Sequence, residues 1–174
     1  SGVIDKTDSL NLEELKLYKE TSFVYDKNGN QIGAFYDSEN RVTVEYKDIP
    51  QTVVDAVVSI EDERFFKHHG VDLKRTTGAI FTYITHGGKS SFGGSTITQQ
   101  LVKNIKNDKE ATWTRKIREW YRAIALENKL SKEEIFEAYV NQIYMGDGCY
   151  GFEVASRNYF GKPLSEVNLA ESAV

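Results

Sequence analysis

The sequence predicts a mainly α-helical domain with a small β-hairpin region at its N-terminal end, and three observations carry that expectation. Apolar residues recur at helical spacing from Gln51 almost to the end of the chain. Ahead of them, β-forming residues flank an Asn-Gly pair, a strong short-range hairpin signal. The 174 residues are 40% hydrophobic and 28% charged, enough apolar material for one core and enough charge to stay dissolved.

Taken in order, residues 1–20 are polar, with a short helical tendency around Leu12, Leu15 and Tyr18. Phe23-Val24-Tyr25 and the run from Ile32 to Tyr36 read as two strands joined across Asp26-Lys27-Asn28-Gly29-Asn30. Val42, Val44 and Tyr46 alternate within 41–46, which predicts a third strand, and Pro50 closes the β region. Helices are expected over 51–67, 72–86, 95–107, 112–130, 131–143, 151–160 and 165–174. Ser131 with Glu134 three positions later forms a capping box for the fifth, and Gly161 followed by Pro163 stops the sixth. His86 to Gly94 is a Gly/Ser-rich break.

Composition removes several function classes. Twenty-two basic against twenty-six acidic residues give a net charge of −4, so no nucleic-acid partner is expected. The single cysteine, Cys149, excludes an intramolecular disulfide and a Cys-rich metal knuckle. His68, His69 and His86 leave little room for a His-built zinc site. No apolar stretch approaches the ~20 residues that span a bilayer, and no secretory signal is visible.

One acidic residue sits oddly. With 53–65 as a helix at about 100° per residue, Val53, Val54, Val57, Val58, Ile60 and Phe65 share a broad face. Glu61 falls close to the middle of that face, and Asp62 and Glu63 point away from it. A carboxylate there is costly unless paired or protonated, and desolvation should raise its pKa toward that of a general acid or base. A structural carboxylate paired with Arg64 or a more distant cation fits the same spacing equally well.

The helix beginning at Ser95 turns Ile97, Leu101 and Ile105 to the core and sets Thr96, Gln99, Gln100 and Lys103 on another stripe. Ser95 after Gly93-Gly94 is a credible N-cap, and free N–H groups there can bind an anion. An ordinary solvated face explains the same stripe. In the next helix Arg115 and Lys116 lie four and three residues before Glu119. Such pairs are common surface support worth ~0.2–0.5 kcal/mol, or else a carboxylate held by cations that face an anionic ligand. Trp113, Trp120 and Tyr121 read as core or groove packing, His68 and His69 as a capped helix end, and Cys149 as structural.

The run Glu61-Asp62-Glu63-Arg64-Phe65-Phe66-Lys67-His68-His69-Gly70 resembles the E-D-x-x-F-x-x-H-x-G signature of peptidoglycan glycosyltransferases. These are the polymerase domains of class A penicillin-binding proteins and the monofunctional glycosyltransferases. Gly94-Ser95-Thr96-Ile97-Thr98-Gln99-Gln100 is similar to the second motif, and Arg115-Lys116-Ile117-Arg118-Glu119 matches the third, R-K-x-x-E. Lys132 to Asn141 is similar to the fourth, K-x-x-I-L-x-x-Y-L-N, with Phe136 and Val140 in place of leucines. Each motif alone is weak evidence; four in order over about 45–174 are strong.

The resemblance implies a lysozyme-like, two-lobed helical fold around an elongated cleft. It divides the chain into a polar segment over 1–21, following a membrane anchor absent from it, and a glycosyltransferase domain over 22–174, cut short at its C-terminal end. It implies polymerisation of lipid II into β-1,4 glycan strands on the extracytoplasmic face of the bacterial cell membrane, with undecaprenyl pyrophosphate released and the anomeric centre inverted. Glu61 is then the general base and Glu119 a second catalytic carboxylate, orienting cations or holding a divalent Mg²⁺ or Mn²⁺; no organic cofactor is expected. Lys103, Arg115 and Lys116 would take the pyrophosphate, and Thr96, Gln99 and Gln100 sugar and phosphate oxygens. Asp62, Phe65 and His68 would support Glu61 and the cleft, and Arg64, Ser95 and Asn141 complete the substrate-binding set. The partners implied are lipid II, the lipid-linked glycan chain and the membrane surface, which Ala79 to Ile84 would dip into unless they form a core helix. A transpeptidase domain in the same full-length chain is left open. A lysozyme-like hydrolase of the same polymer is the alternative enzyme, with an inactive glycan- or partner-binding fragment the non-enzymatic reading.

Overall fold

The β-forming residues on either side of the Asn-Gly pair do pair. In the computed structural model, which describes residues 21–25, 31–36, 43–85, 94–106, 112–143, 145 and 149–173, β1 (Thr21–Tyr25) runs antiparallel to β2 (Gln31–Tyr36). The register sets Thr21 opposite Tyr36 and Phe23 opposite Ala34, with an irregularity between Val24 and Tyr25. The turn residues 26–30, the helical tendency near Leu12 and the break over 86–93 lie outside the described residues.

The third strand expected over 41–46 does not form among the described residues. Thr43 to Glu45 carry no regular structure and Tyr46–Asp48 make a 3₁₀ turn. The alternation is real, since Val44 is buried, but the backbone there pairs with side chains instead of a neighbouring strand. The Val44 N–H donates to Asn141 Oδ1 at 2.9 Å, Asn141 Nδ2 donates to the Val44 carbonyl at 2.8 Å, and the Tyr46 N–H donates to Glu137 Oε2 at 3.0 Å.

Six α-helices follow among the described residues: α1 (Gln51–Glu61), α2 (Leu73–Thr85), α3 (Ile97–Lys106), α4 (Trp113–Glu127), α5 (Lys132–Val140) and α6 (Phe152–Phe160). Local sequence accounts for several of their ends. Thr112 caps α4 by accepting from the Arg115 N–H at 3.2 Å. The Ser131–Glu134 capping box closes in both directions, at 3.2 and 2.8 Å. Gly161, left-handed at φ 69°, ends α6.

Two expected helices are shorter or absent. The one predicted over 51–67 stops at Glu61, and Phe65–Lys67 form a 3₁₀ turn. The one predicted over 165–174 is replaced by 3₁₀ turns at Leu164–Glu166 and Glu171–Ala173. Asn168 and Glu171 satisfy each other's main-chain N–H groups at 2.9 and 3.0 Å, which favours a tight turn over a continuing helix.

The core is built where α3 lies against both α4 and α5. Phe65, Ile97, Leu101, Leu126, Ile135, Phe136 and Tyr139 are fully buried there, each worth roughly 1.5–3 kcal/mol of burial. Gly70, at φ 83°, carries the chain past the α4 backbone so closely that a Cβ would lie 2.7 Å from the Ala123 carbonyl carbon. No helix among the described residues is long and apolar enough to cross a membrane.

Candidate active site

The last residue of α1 is Glu61. Its side chain is half-buried, and Oε2 accepts a hydrogen bond from Gln100 Nε2 on α3 at 2.8 Å. Its main-chain carbonyl, at the helix C-terminus, accepts from Arg75 Nη1 on α2 at 2.5 Å. The apolar face expected to continue through Phe65 breaks here, and Ile60 is 70% exposed. Glu61 therefore sits at a helix end and not in the middle of an apolar stripe.

Asp62 explains the break. Expected to point outward, it is instead wholly buried. Oδ2 accepts from the Ile97 N–H at 3.0 Å and lies 2.8 Å from His68 Nε2. A carboxylate at the first turn of α3 satisfies a free N–H group and suits the helix dipole. Those two attachments end α1 and turn the chain inward. Glu63 is exposed, as expected.

Arg64 is committed elsewhere, so it is not the counter-ion of Glu61. Its Nε donates to Asp72 Oδ2 at 2.8 Å and its Nη2 meets Asp72 Oδ1. The Arg64 guanidinium, helped by the Arg75 N–H, holds the Asp72 carboxyl at about 2, below the usual carboxylate range. Asp72 in turn caps the start of α2.

At the start of α3 the cap is Thr96, one residue later than expected. The Gln99 N–H donates to Thr96 Oγ1 at 3.1 Å and the Thr96 N–H donates to Gln99 Oε1 at 3.2 Å. Thr96 also donates to the Gly70 carbonyl at 2.7 Å. Ser95 is left to accept from Lys116 Nζ at 2.7 Å. Thr96 and Gln99 are fully buried with partners inside the protein, while Gln100 is half-buried and Lys103 exposed.

The pairs on α4 are not surface pairs. Glu119 is 3% and Lys116 8% exposed. Arg115 Nη1 donates to Glu119 Oε2 at 2.8 Å, and Lys116 Nζ donates to Glu119 Oε1 and, at 3.5 Å, to Gln99 Oε1. Burial pushes the Lys116 ammonium below its ordinary pKa; Glu119 opposes this, and the positive charges of Arg115 and Lys103 add to it. Arg115 and Lys116 thus hold one carboxylate, and Lys103 lies within electrostatic reach of Lys116. Two consecutive glutamines of α3 reach the two candidate carboxylates, Gln100 directly to Glu61 and Gln99 through Lys116 to Glu119.

Residues 28–174 match the family model described as Transglycosylase. The chain belongs to the transglycosylase family. It is 43% identical to penicillin-binding protein 1A of Clostridium botulinum strain Langeland, over 99% of this chain and 21% of that protein. It is 42% identical to penicillin-binding protein 1F of Bacillus subtilis strain 168, over 94% of this chain and 23% of that one. For penicillin-binding protein 1A of Clostridium acetobutylicum the identity is 44%, over 88% and 20%. The chain spans about a fifth of the length of these curated relatives. The mainly helical, lysozyme-like class implied by the four motifs is that of this transglycosylase domain.

Within the transglycosylase, some expected site residues are placed as scaffold. Asn141 spends both ends of its amide on the Val44 backbone. Phe65 is fully buried, packed against Phe136 and His68, with Lys132 Nζ 4.4 Å from its ring centre. His68 is held by Asp62 on one side, and its Nδ1 lies 3.9 Å from Glu127 Oε1 on the other. Trp113 and Tyr121, expected to pack in a core or groove, are exposed.

Sequence reasoning missed two residues. Glu127 gathers Thr98 Oγ1 at 2.5 Å and Lys132 Nζ at 2.7 Å beneath the first motif; it lies in no quoted motif, and no spacing signals it. Tyr139 stands inside the fourth motif, yet its hydroxyl donates to Gln100 Oε1 at 3.3 Å, a link across 39 residues that no local pattern reveals. Each Glu119 oxygen accepts from one cation, Oε2 from Arg115 and Oε1 from Lys116. Among the described residues no group of three or more His, Cys, Asp or Glu is placed to hold a metal.

Proposed function

We propose that this transglycosylase domain is a peptidoglycan glycosyltransferase that polymerises lipid II into β-1,4 glycan strands, with Glu61 as general base. The observation that carries the reading is the pairing of one half-buried carboxylate with a nearby cationic cluster, both gripped by the first turns of α3. Gln100 occupies Oε2 of Glu61, leaving Oε1 to take the proton of the acceptor hydroxyl as its oxygen attacks the anomeric carbon. Attack opposite the α-linked pyrophosphate inverts that carbon to the β configuration. The C–O bond to the pyrophosphate breaks as the new one forms, and the leaving group departs as an anion.

Charge stabilisation at the leaving group matters more than its protonation. Lys103 and Arg115 offer the accessible charges, and Lys116, fixed by Ser95 and Glu119, adds a preorganised one. Glu119 acts as the orienter of Arg115 and Lys116. A neutral glycan gives such a trio nothing to bind, which favours polymerisation over hydrolysis. Phe81 on α2 is 70% exposed, which supports contact of that helix with a membrane surface over a place in the core. The extracytoplasmic location, the lipid-linked glycan partner and a transpeptidase domain in the full-length chain belong to this same proposal.

The test is the product formed from labelled lipid II in detergent, resolved by glycan length. The reading expects chains longer than the substrate. Shortening of a preformed glycan strand, or binding of lipid II with no turnover, would overturn it in favour of a hydrolase or a binding module.

A further inference from the structure

Tyr139 is a core residue with one polar atom. Its side chain, on α5, is 1% exposed, and phenylalanine would fill the same apolar volume. The hydroxyl donates to Gln100 Oε1 at 3.3 Å, and the other end of that amide donates to Glu61 Oε2 at 2.8 Å. The three side chains come from α5, α3 and α1 and form one directed chain.

The direction follows from donor and acceptor chemistry. An amide can face a carboxylate with either end, and the carbonyl end would set two acceptors against each other. The Tyr139 hydroxyl keeps its proton, because burial and the Glu61 charge both oppose a phenolate. Glu61 Oε2 only accepts, so the N–H end of Gln100 faces it, and the Tyr139 O–H donates to the carbonyl end and holds the amide in that orientation.

We propose that Tyr139 is a positioning residue for Glu61, acting through Gln100 to keep an amide N–H on Oε2 and so hold the carboxylate aimed. The proposal deepens the reading of Glu61 as general base and rests on it for its functional meaning. Arg75 sits on the main-chain carbonyl of Glu61, and the neighbouring Asp62 is turned inward to His68 and the start of α3. Neither contacts Tyr139 in these bonds, so removing the hydroxyl leaves both in place.

The test reads the Glu61 carboxyl itself, by carbon-13 NMR of protein labelled at glutamate side chains, with the Glu61 signal assigned from its loss in Glu61→Gln. Tyr139→Phe is expected to move the Glu61 carboxyl resonance, because it loosens the amide whose N–H sits on Oε2. Gln100→Ala, altering a half-exposed side chain, moves that resonance as well, and adding Tyr139→Phe in that background moves it no further. In lipid II polymerisation Tyr139→Phe then lowers kcat with KM unchanged. A resonance unmoved by Tyr139→Phe, or moved equally with and without Gln100, overturns the proposal and leaves Tyr139 a packing residue. The NMR arm needs no turnover, so loss of the glycosyltransferase reading, seen as full activity in Glu61→Gln, is a separate result.

Discussion

Gly70→Ala probes how the segment after the first motif is held against α4. At φ 83° an alanine bears a backbone cost of about 1–2 kcal/mol. Its Cβ would also lie 2.7 Å from the Ala123 carbonyl carbon and the Ile124 nitrogen and 2.8 Å from the Ala123 oxygen. These are main-chain atoms inside a helix, so no side chain can swing aside, and overpacking adds roughly 1–3 kcal/mol. The sum is about 2–5 kcal/mol, or a Tm lower by roughly 5–20 °C for a domain of this size. Gly161→Ala is the control: it shares a positive φ of 69° but meets nothing within 4 Å, so it should cost about 1 kcal/mol. Urea unfolding of both variants, followed by circular dichroism, gives the difference. Equal costs would refute the close approach to α4. They would also remove the reason the Gly70 carbonyl can receive Thr96 Oγ1 at 2.7 Å.

Other outcomes follow from the same bonds. Asp72→Asn keeps a side-chain cap on α2 but loses the charge paired with Arg64. Asp72 titrates at about 2, below its ordinary 3.8, so its contribution is complete above about pH 4 and disappears as the pH falls toward 2. That contribution is about 1–2 kcal/mol once solvent screening at the partly exposed Arg64 is allowed for. Urea midpoints from pH 5 to pH 2.5 should therefore fall less steeply in the variant. Asn141→Ala removes both bonds to Val44 and should cost about 1–3 kcal/mol, with amide exchange accelerated at Val44 more than in α4. Glu119→Gln leaves Arg115 and Lys116 on a neutral amide in a buried setting and should destabilise by about 3 kcal/mol, measured by thermal unfolding.

What the sequence made legible was local. The Ser131–Glu134 box, the Thr112 start of α4 and the Gly161 stop all rest on residues within a turn of one another. The order of four motifs was likewise readable, and the family match over 28–174 agrees with it. What escaped was decided across the fold. Periodicity carried α1 through Phe65, but Asp62 reaches Ile97, 35 residues away, and ends the helix. Ser95 and Thr96 are equally good caps by type. Lys116 takes the first and Gln99 reciprocates with the second, which settles the register. The alternation at Val44 and Tyr46 marks a buried extended segment, yet its backbone partners are side chains about a hundred residues on, Glu137 within α5 and Asn141 just past its end.

The central claim is that Glu61 removes the acceptor's proton, and one comparison bears on it most directly: polymerisation of labelled lipid II by this chain and by Glu61→Gln, each checked for an unchanged Tm. The amide keeps the size of the carboxylate but cannot accept the proton. The account predicts glycan chains from the first and none from the folded second. Glycan chains from both at similar rates would contradict it and remove Glu61 from the chemistry.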